Sequence, residues 1–332
     1  MKIVYMGTPD FAVGALRALV EAGHQIAAVV TQPDKPKGRG KEMQMTPVKA
    51  CALQYDIPVF QPVKVRMPEA VETLRGFGAD VFVVAAFGQI LSGEILSMPR
   101  YGCINIHASL LPKYRGSAPI QKVILDGEKE TGITIMQMDK GIDTGDILLQ
   151  SAVPIAAKET GDSLHDKLAD TGAKLIVEAL RMLEAGVLTP RKQNEEESCY
   201  VKMLDKSMGR IDWTRSAAQI ERQVRGLNSW PGTYTSFHGK TLKIWESEVA
   251  DSPERFGETQ AKTEGADESG SSSKAYGSSL PGTIASVEKD AFYVWTGDGI
   301  LKVTQVQLEG KKRMEVKAFL PGYQIKPGER LA

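Results

Sequence analysis

The chain has 332 residues, and its 41 Lys and Arg residues balance 41 Asp and Glu residues, so the formal net charge is zero. This balance argues against a protein that binds nucleic acid through overall positive charge alone, because phosphate binding requires a local surplus of basic side chains. The composition, with 42% hydrophobic and 25% charged residues, is typical of a globular protein, and the length predicts about two domains.

The sequence lacks the segments typical of membrane or secreted proteins. Its longest apolar run, residues 81–87, is far shorter than the roughly 20 residues that span a bilayer. Residues 1–7 are typical of a strand and not of a signal peptide. The widely spaced Cys51, Cys103 and Cys199 form no metal-binding motif and indicate reduced packing residues. We therefore expect a cytoplasmic protein.

Between residues 2 and 185, short apolar runs alternate with amphipathic stretches, which predicts an α/β domain with a mainly parallel sheet. The first helix is predicted over residues 9–22, with Thr8 as its N-cap and Pro9 in its first turn, and another over 160–184. The predicted strands are residues 3–6, 25–31, 81–86, 103–107, 133–138 and 147–153, with a turn-rich functional loop at 139–146.

The second half of the chain differs in composition. A polar stretch near residue 190 predicts a linker, giving a first domain over 1–188, a linker over 189–207 and a second domain over 208–332. Residues 251–280 are rich in Ser, Gly and Glu, which predicts a disordered insertion. A helix at 216–226 and strands at 234–237, 242–248, 282–288, 291–296 and 300–307 predict a small β-barrel or sandwich.

The charge is distributed unevenly over these regions. Residues 1–200 carry a net charge of −2 and the insertion −3, whereas the rest of the C-terminal region carries +5. A moderately basic β-domain is therefore predicted, although a solvated face with a chance surplus of Lys and Arg remains an alternative.

The first strand and helix resemble the start of a nucleotide-binding domain. However, only Gly7 of a G-x-G-x-x-G motif is in place, and Pro9 removes an N–H that a pyrophosphate would bind. A phosphate-binding P-loop motif is also absent from the sequence. A dinucleotide-binding role is therefore disfavoured.

Asn105 and His107 form the first candidate site. If residues 103–107 are a strand, both side chains point to one face near its carboxyl end, where open α/β sheets bind ligands. Such a pair could donate hydrogen bonds to a developing oxyanion, and His107 could also move a proton. A purely structural histidine remains the alternative.

The loop at residues 139–146 supplies carboxylates that could act with His107. A carboxylate beside an imidazole fixes its orientation and favours its protonated form. The spacing of Asp139, Asp143 and Asp146 does not fit an EF-hand, so we expect neither calcium nor another metal. The other histidines, His24, His165 and His238, have no polar residues patterned around them in the sequence.

Together these motifs resemble the signature of the folate-dependent formyltransferase family. The resemblance rests on Asn105-x-His107, the Ser-Leu-Leu-Pro run with Gly116 four residues later, and Asp143 in Asp-Thr-Gly-Asp. It implies a Rossmann-like α/β domain that uses 10-formyltetrahydrofolate, with Asn105, His107 and Asp143 as catalytic residues. The implied folate contacts are Ser109, Leu110, Leu111 and Pro112, and the implied pterin surroundings are Phe87, Gly88, Gln89, Ile90, Leu91 and the loop from Asp139 to Asp143.

The C-terminal half resembles that of the family members that act on methionyl-tRNA, since it contains Arg-Gly-Leu-Asn-x-Trp-Pro-Gly at residues 225–232. This implies a small, OB-like β-barrel that binds initiator methionyl-tRNA. The basic segment at 32–41 resembles a loop of those enzymes that reaches the tRNA acceptor end, although it could be an ordinary surface loop. The implied tRNA contacts are Lys35, Lys37, Arg39 and Lys41, with Lys311, Lys312 and Arg313 in the second domain.

The implied reaction moves a formyl group from the folate to the α-amino group of methionine on initiator tRNA, and we expect the enzyme to be a monomer. Asn105 and protonated His107 would stabilise charge on the formyl oxygen, and Asp143 would hold His107. Three alternatives stay open: formyl transfer to a small amine or nucleotide sugar, hydrolysis of the formyl folate, and binding of RNA without catalysis. The insertion at 251–280 departs from the family pattern.

Overall fold

The structure, a computed structural model, describes residues 1–37, 42–250 and 280–332. The chain divides into two compact units. The N-terminal unit comprises residues 1–123, 128–156 and 163–203, and the C-terminal unit comprises 124–127, 157–162 and 204–332.

A seven-stranded sheet forms the centre of the N-terminal unit. In spatial order its strands are β10 (Ile147–Pro154), β9 (Glu130–Gln137), β7 (Cys103–His107), β6 (Val81–Ala85), β1 (Lys2–Gly7), β2 (Gln25–Val30) and β5 (Val59–Phe60). From β7 to β5 all neighbours are parallel, whereas β9 is antiparallel to both of its neighbours. The predicted mainly parallel sheet is confirmed.

The central strand β6 is buried along its whole length, as expected for a parallel strand covered on both faces. Its Phe82 and Val84 pack with Met6 of β1 in one apolar cluster. The carboxyl ends of the parallel strands lie at one edge of this rigid sheet, which is the edge that carries the candidate site.

Among the described residues, six α-helices belong wholly or mostly to this unit, and the sequence predicted only the first and the last. The 24-residue final helix matches the predicted 160–184 closely. The helices at 47–54 and 68–76 went unpredicted because each offers only three buried apolar positions, too few for a clear period. The helices are α1 (Val13–Glu21), α2 (Pro47–Gln54), α3 (Pro68–Gly76), α4 (Gly93–Leu96), α5 (Pro119–Asp126) and α6 (Gly161–Glu184).

The prediction of Thr8 as an N-cap was wrong. A short 3-10 turn, Asp10–Ala12, precedes α1, and Pro9 occupies its N-cap position without a side-chain bond. The Thr8 hydroxyl instead donates to the Phe87 carbonyl at 3.1 Å. Thr8 therefore ties the end of β1 to the segment after β6.

The segment predicted as a linker is largely structured. Residues up to Met203 belong to the N-terminal unit. Within this segment, β11 (Tyr200–Val201) pairs in parallel with β8 (Arg115–Gly116), and Arg191 forms a β-bridge with Ile147. The segment was predicted to be a linker because it is polar and its apolar residues follow no helix or strand spacing. Hydrogen bonds order it instead.

The C-terminal unit is built on an antiparallel sheet. Its strands in spatial order are β12 (Thr233–Phe237), β13 (Lys240–Val249), β16 (Ile300–Leu308), β15 (Phe292–Trp295) and β14 (Ile284–Val287), and β17 (Met314–Glu315) also pairs with β16. Helix α7 (Ala217–Gly226) begins with a capping box between Ser216 and Gln219, and α8 (Val316–Phe319) follows β17. Both helices contribute to a core with Leu242 and Val306.

The predicted β-rich second domain is confirmed, and the structure shows that its sheet is antiparallel, whereas its OB-like barrel form stays a prediction. Within the described residues, β12 and β14 do not pair with each other. Instead the C-terminal tail contacts both: the Ser236 N–H donates to the Ala332 carbonyl at 2.7 Å, and the Ile284 N–H donates to the Glu329 carbonyl at 2.8 Å. The predicted insertion at 251–280 lies outside the described residues, apart from the exposed Leu280.

Candidate active site

A cleft of about 530 Å³ lies at the carboxyl end of β7. Because side chains alternate along a strand, Asn105 and His107 project to the same side, and both line this cleft. Asp143, from the loop between β9 and β10, lines it as well. The structure therefore brings together the three residues that the sequence singled out for chemistry.

Asn105 has an amide free to bind a ligand. The residue is partly exposed, and its side chain forms no hydrogen bond with any residue that the structure describes. An amide in a cleft can both donate and accept hydrogen bonds. Asn105 is therefore the most available polar group of the three.

His107 is buried, and both of its ring nitrogens face acceptors. Nε2 donates to the Tyr114 carbonyl at 2.9 Å, and Nδ1 lies 3.6 Å from Oδ2 of Asp143. A carbonyl can only accept, so Nε2 carries a proton and donates it to Tyr114, while Nδ1 faces the Asp143 carboxylate. The Nε2 N–H is therefore engaged and does not point into the cleft.

Asp143 adopts a left-handed backbone conformation, with φ of 54°. Its Oδ2 accepts a hydrogen bond from the Gly116 N–H at 2.8 Å, which directs the carboxylate toward His107. Asp139 shapes the start of the same loop, since its Oδ1 accepts from the Gly141 N–H at 3.0 Å and from the Thr144 hydroxyl at 2.7 Å. Asp139 is therefore engaged within the loop.

Of the residues expected to contact folate at 87–91 and 109–112, Gly88 lines the cleft, and most of the other side chains are engaged elsewhere. Phe87 and Leu91 are buried in the apolar core, and Leu111 is buried against Met136 and Ile147. Ser109 is buried, and its hydroxyl donates to the Lys113 carbonyl at 2.7 Å. Gly88 lines the cleft, Ile90 is 79% exposed, and Gln89 bonds to Val65 and Pro62.

Two of these positions have uncommon backbone conformations. The Leu111-Pro112 peptide is cis, and Gly88 has a φ of 76°. Leu110 is partly buried and packs against Gly132. Any folate contact by Ser109, Leu110, Leu111 and Pro112 would therefore rely mainly on the main chain of this segment.

The structure adds His165 to the cleft, which corrects the expectation that it has no polar surroundings. Its Nδ1 lies 2.9 Å from Oδ1 of Asp166, and its Nε2 lies 3.6 Å from Oδ1 of Asp10. Its ring also meets Phe11 edge-on, with ring centroids 5.5 Å apart. Asp10 and Phe11 come from the segment before α1, which the sequence did not connect with α6.

The basic segment near residue 35 begins in a small hairpin. Lys35 and Lys37 lie in β3 (Lys35–Lys37), which pairs with β4 (Glu42–Gln44), while Arg39 and Lys41 lie outside the described residues. Asp34 anchors the hairpin: it accepts from Nζ of Lys49 at 2.5 Å and from Nε2 of Gln61 at 2.8 Å. These hydrogen bonds lower the pKa of Asp34.

In the C-terminal unit, three exposed basic residues, Lys311, Lys312 and Arg313, follow β16. The Arg313 guanidinium lies over the Trp245 ring, with Cζ 4.8 Å from the ring centroid, and Nζ of Lys243 lies 5.5 Å from it. Cations placed on an indole face form favourable cation–π contacts. Arg313 therefore belongs to an aromatic, positively charged patch.

Within residues 1–37, 42–250 and 280–332, no three His, Cys, Asp or Glu side chains are grouped so that they could hold a metal ion. No helix in the same part of the chain is long and apolar enough to cross a membrane.

Comparison with known families identifies the chain. The model of the formyl transferase family matches residues 1–180, and the model of the formyl transferase C-terminal domain matches residues 203–324. The chain belongs to the formyl transferase family.

Similarity to individual relatives extends over both units. The methionyl-tRNA formyltransferase of Agathobacter rectalis is 52% identical over 328 residues, covering 99% of this chain and 98% of the relative. That of Geobacter sulfurreducens is 47% identical over 331 residues, covering 100% and 96%. Within the formyl transferases, the chain therefore groups with this subfamily.

Solved structures share the fold at low sequence identity. A sugar 3N-formyl transferase, WlaRD, determined in the presence of dTDP and 5-N-formyl-THF, has a TM-score of 0.63 at 20% identity, covering 94% of this chain and 99% of that one. HypX from Aquifex aeolicus in complex with tetrahydrofolic acid has a TM-score of 0.58 at 16% identity, covering 96% of this chain. The chain spans about half of HypX, 47% of its length.

Proposed function

We propose that this formyl transferase moves the formyl group of 10-formyltetrahydrofolate to the α-amino group of methionine on initiator methionyl-tRNA, giving N-formylmethionyl-tRNA. The observation that carries the proposal is the cleft at the end of β7, which Asn105, His107 and Asp143 line together. Its volume of about 530 Å³ is ordinary for a small-molecule site. We infer that the enzyme works as a monomer in the cytoplasm.

Asn105 acts as the hydrogen-bond donor in this mechanism. The folate supplies the formyl group, and attack by the neutral amine places negative charge on the formyl oxygen. A preorganised donor at such an oxygen typically lowers the barrier by about 3–4 kcal/mol. The Asn105 amide suits this role because no described residue competes for it.

His107 contributes positive charge beside the developing oxyanion. In the proposed mechanism the ring is protonated, with its Nε2 N–H donated to the Tyr114 carbonyl and its Nδ1 facing the Asp143 carboxylate. Asp143 orients the ring and, with water, can relay the proton that leaves the amine to N10 of the folate, whose bond to the formyl carbon breaks as the new C–N bond is completed. His107 thus acts first through electrostatics, and it can donate to the oxygen directly if its ring turns from Tyr114.

The folate is held, in this proposal, by the segments around the cleft. Gly88 and the loop from Asp139 to Asp143 enclose the pterin with Phe87, Gln89, Ile90 and Leu91. The buried side chains of Phe87 and Leu91 fix this segment, and its main chain makes the contacts. The segment Ser109, Leu110, Leu111 and Pro112 contributes in the same way.

The tRNA is held at two places in this proposal. Lys35, Lys37, Arg39 and Lys41 bind phosphates of the acceptor end, and Lys311, Lys312 and Arg313 of the OB-like domain bind the remainder. The patch around Trp245 supports the second contact, because an indole flanked by cations can bind both bases and phosphates.

The salt dependence of tRNA binding tests the second contact. Lys312→Ala and Arg313→Ala should each weaken binding and reduce the slope of log K against log salt by about 1, because each removes one phosphate contact. The control is Lys289→Ala, which removes an exposed lysine between β14 and β15. An unchanged slope in the two variants, or an equal change in the control, would contradict the assignment.

The proposed reaction itself is tested by transfer of labelled formyl from 10-formyltetrahydrofolate. Initiator methionyl-tRNA should accept the label, whereas an amino sugar nucleotide should not. The small-amine alternative is disfavoured because identity to the methionyl-tRNA formyltransferases covers both units. Release of labelled formate without an acceptor would instead indicate a hydrolase.

A further inference from the structure

A buried arginine, Arg115, fixes the position of Gln193, which lies in the segment predicted to be a linker. Its side chain is fully buried, and a guanidinium is costly to bury without partners. Nη1 and Nη2 each donate to an oxygen of Glu195 at 2.8 Å. Nε and Nη2 donate to Oε1 of Gln193 at 3.0 and 2.9 Å. Arg115 therefore sets the orientation of the Gln193 amide.

The other end of Gln193 holds the loop of Asp143. Its Nε2 donates to the carbonyl of Asp143 at 2.8 Å and to that of Gly145 at 2.7 Å. The left-handed φ of 54° at Asp143 is uncommon for a residue other than glycine and persists only where its surroundings support it. Gln193 holds the main chain at Asp143, while the Gly116 N–H holds its carboxylate.

We propose that Arg115 and Gln193 are positioning residues for formyl transfer, keeping the Asp143 carboxylate beside the His107 ring. Neither side chain lines the cleft, so both act through Asp143 and not on a substrate. This inference rests on the proposed function, in which Asp143 orients His107. A small displacement of a catalytic group can slow a reaction about 100-fold without changing binding.

Gln193→Glu tests this inference in the full-length protein. The variant keeps acceptor oxygens for Arg115 but removes both N–H donors to the loop. We expect kcat to fall about 10- to 100-fold, while KM for methionyl-tRNA and for 10-formyltetrahydrofolate each change less than about threefold.

A double-mutant cycle separates positioning from general stability. Asp143→Asn removes the carboxylate charge, and asparagine tolerates the left-handed backbone. In that background Gln193→Glu should lower kcat less than about threefold, because no carboxylate remains to be positioned. A full additional loss in the Asp143→Asn background would overturn the inference.

Gln223→Glu is the matched control. Gln223 is also buried, and its Nε2 donates to the carbonyls of Met208 and Arg210 at 2.8 and 3.0 Å within the C-terminal unit. This variant should lower the melting temperature and keep kcat. An equal fall in kcat in the control would overturn the inference, as would a fully active Gln193→Glu.

The proposed function and the inference fail in different ways. If the wild-type protein does not formylate methionyl-tRNA, the proposed function fails. If the wild type is active and Asp143→Asn is impaired, but Gln193→Glu is not, only the positioning role fails.

Discussion

Asn105→Ala is expected to lower kcat about 100- to 1000-fold, which is the usual loss when one oxyanion donor is removed. The effect should be this large because the Nε2 N–H of His107 is engaged with the Tyr114 carbonyl, and its Nδ1 faces the Asp143 carboxylate. Binding of the folate and the tRNA should change little, since the lost hydrogen bond strengthens only as charge develops.

Single-turnover transfer of labelled formyl, together with equilibrium binding of both substrates, measures this effect. The matched control is Asn228→Ala, which removes an amide that donates to Asp162 at 3.1 Å in the C-terminal unit. Near-normal turnover in Asn105→Ala would remove Asn105 from the mechanism, and a parallel loss of folate binding would make it a binding residue.

The sequence indicated which residues share the cleft better than it indicated which residues hold them in place. Asn105 and His107 share a face because strand side chains alternate, a rule that needs no tertiary information. Asp143 was predicted as the third site residue from the family resemblance and from the turn-rich loop that contains it. Each of these signals is local, so each could be seen in a single sequence.

The hydrogen bonds that hold the Asp143 loop could not be predicted, because the residues that form them are far apart in the chain and follow no regular sequence spacing. Arg115 and Gln193 are 78 residues apart, and their contact follows from the pairing of β8 with β11. A polar stretch without apolar residues is typical of a linker, yet buried hydrogen bonds order this one. His165 and Asp10 were missed for the same reason, since they lie on distant segments.

The apolar residues of the family motif illustrate a second limit. Leu111 belongs to a motif that implies folate contact, but its side chain fills the core with Met136 and Ile147. A motif marks residues that matter without saying whether they touch the ligand or shape the segment that does. Burial distinguishes the two, and burial is a property of the whole fold.

Gly116→Ala is expected to damage both folding and catalysis, because this glycine has two constraints. Its φ is 107°, a conformation that side chains rarely adopt, and an added Cβ would lie 2.3 Å from the Val201 carbonyl oxygen in β11. Relief of that contact would move β8 away from β11. It would also withdraw the Gly116 N–H from the Asp143 carboxylate. We expect a loss of about 2–3 kcal/mol in the free energy of unfolding.

The fall in kcat should exceed tenfold, measured below the melting temperature so that the unfolded fraction is negligible. Gly186→Ala separates the two constraints, since Gly186 also has a positive φ, 69°, but no atom lies within 4 Å of its added Cβ. That control should cost about 1 kcal/mol through its backbone conformation and leave kcat unchanged. Equal unfolding free energies for the two variants, with full activity in Gly116→Ala, would show that β8 does not need to approach β11 so closely to hold Asp143.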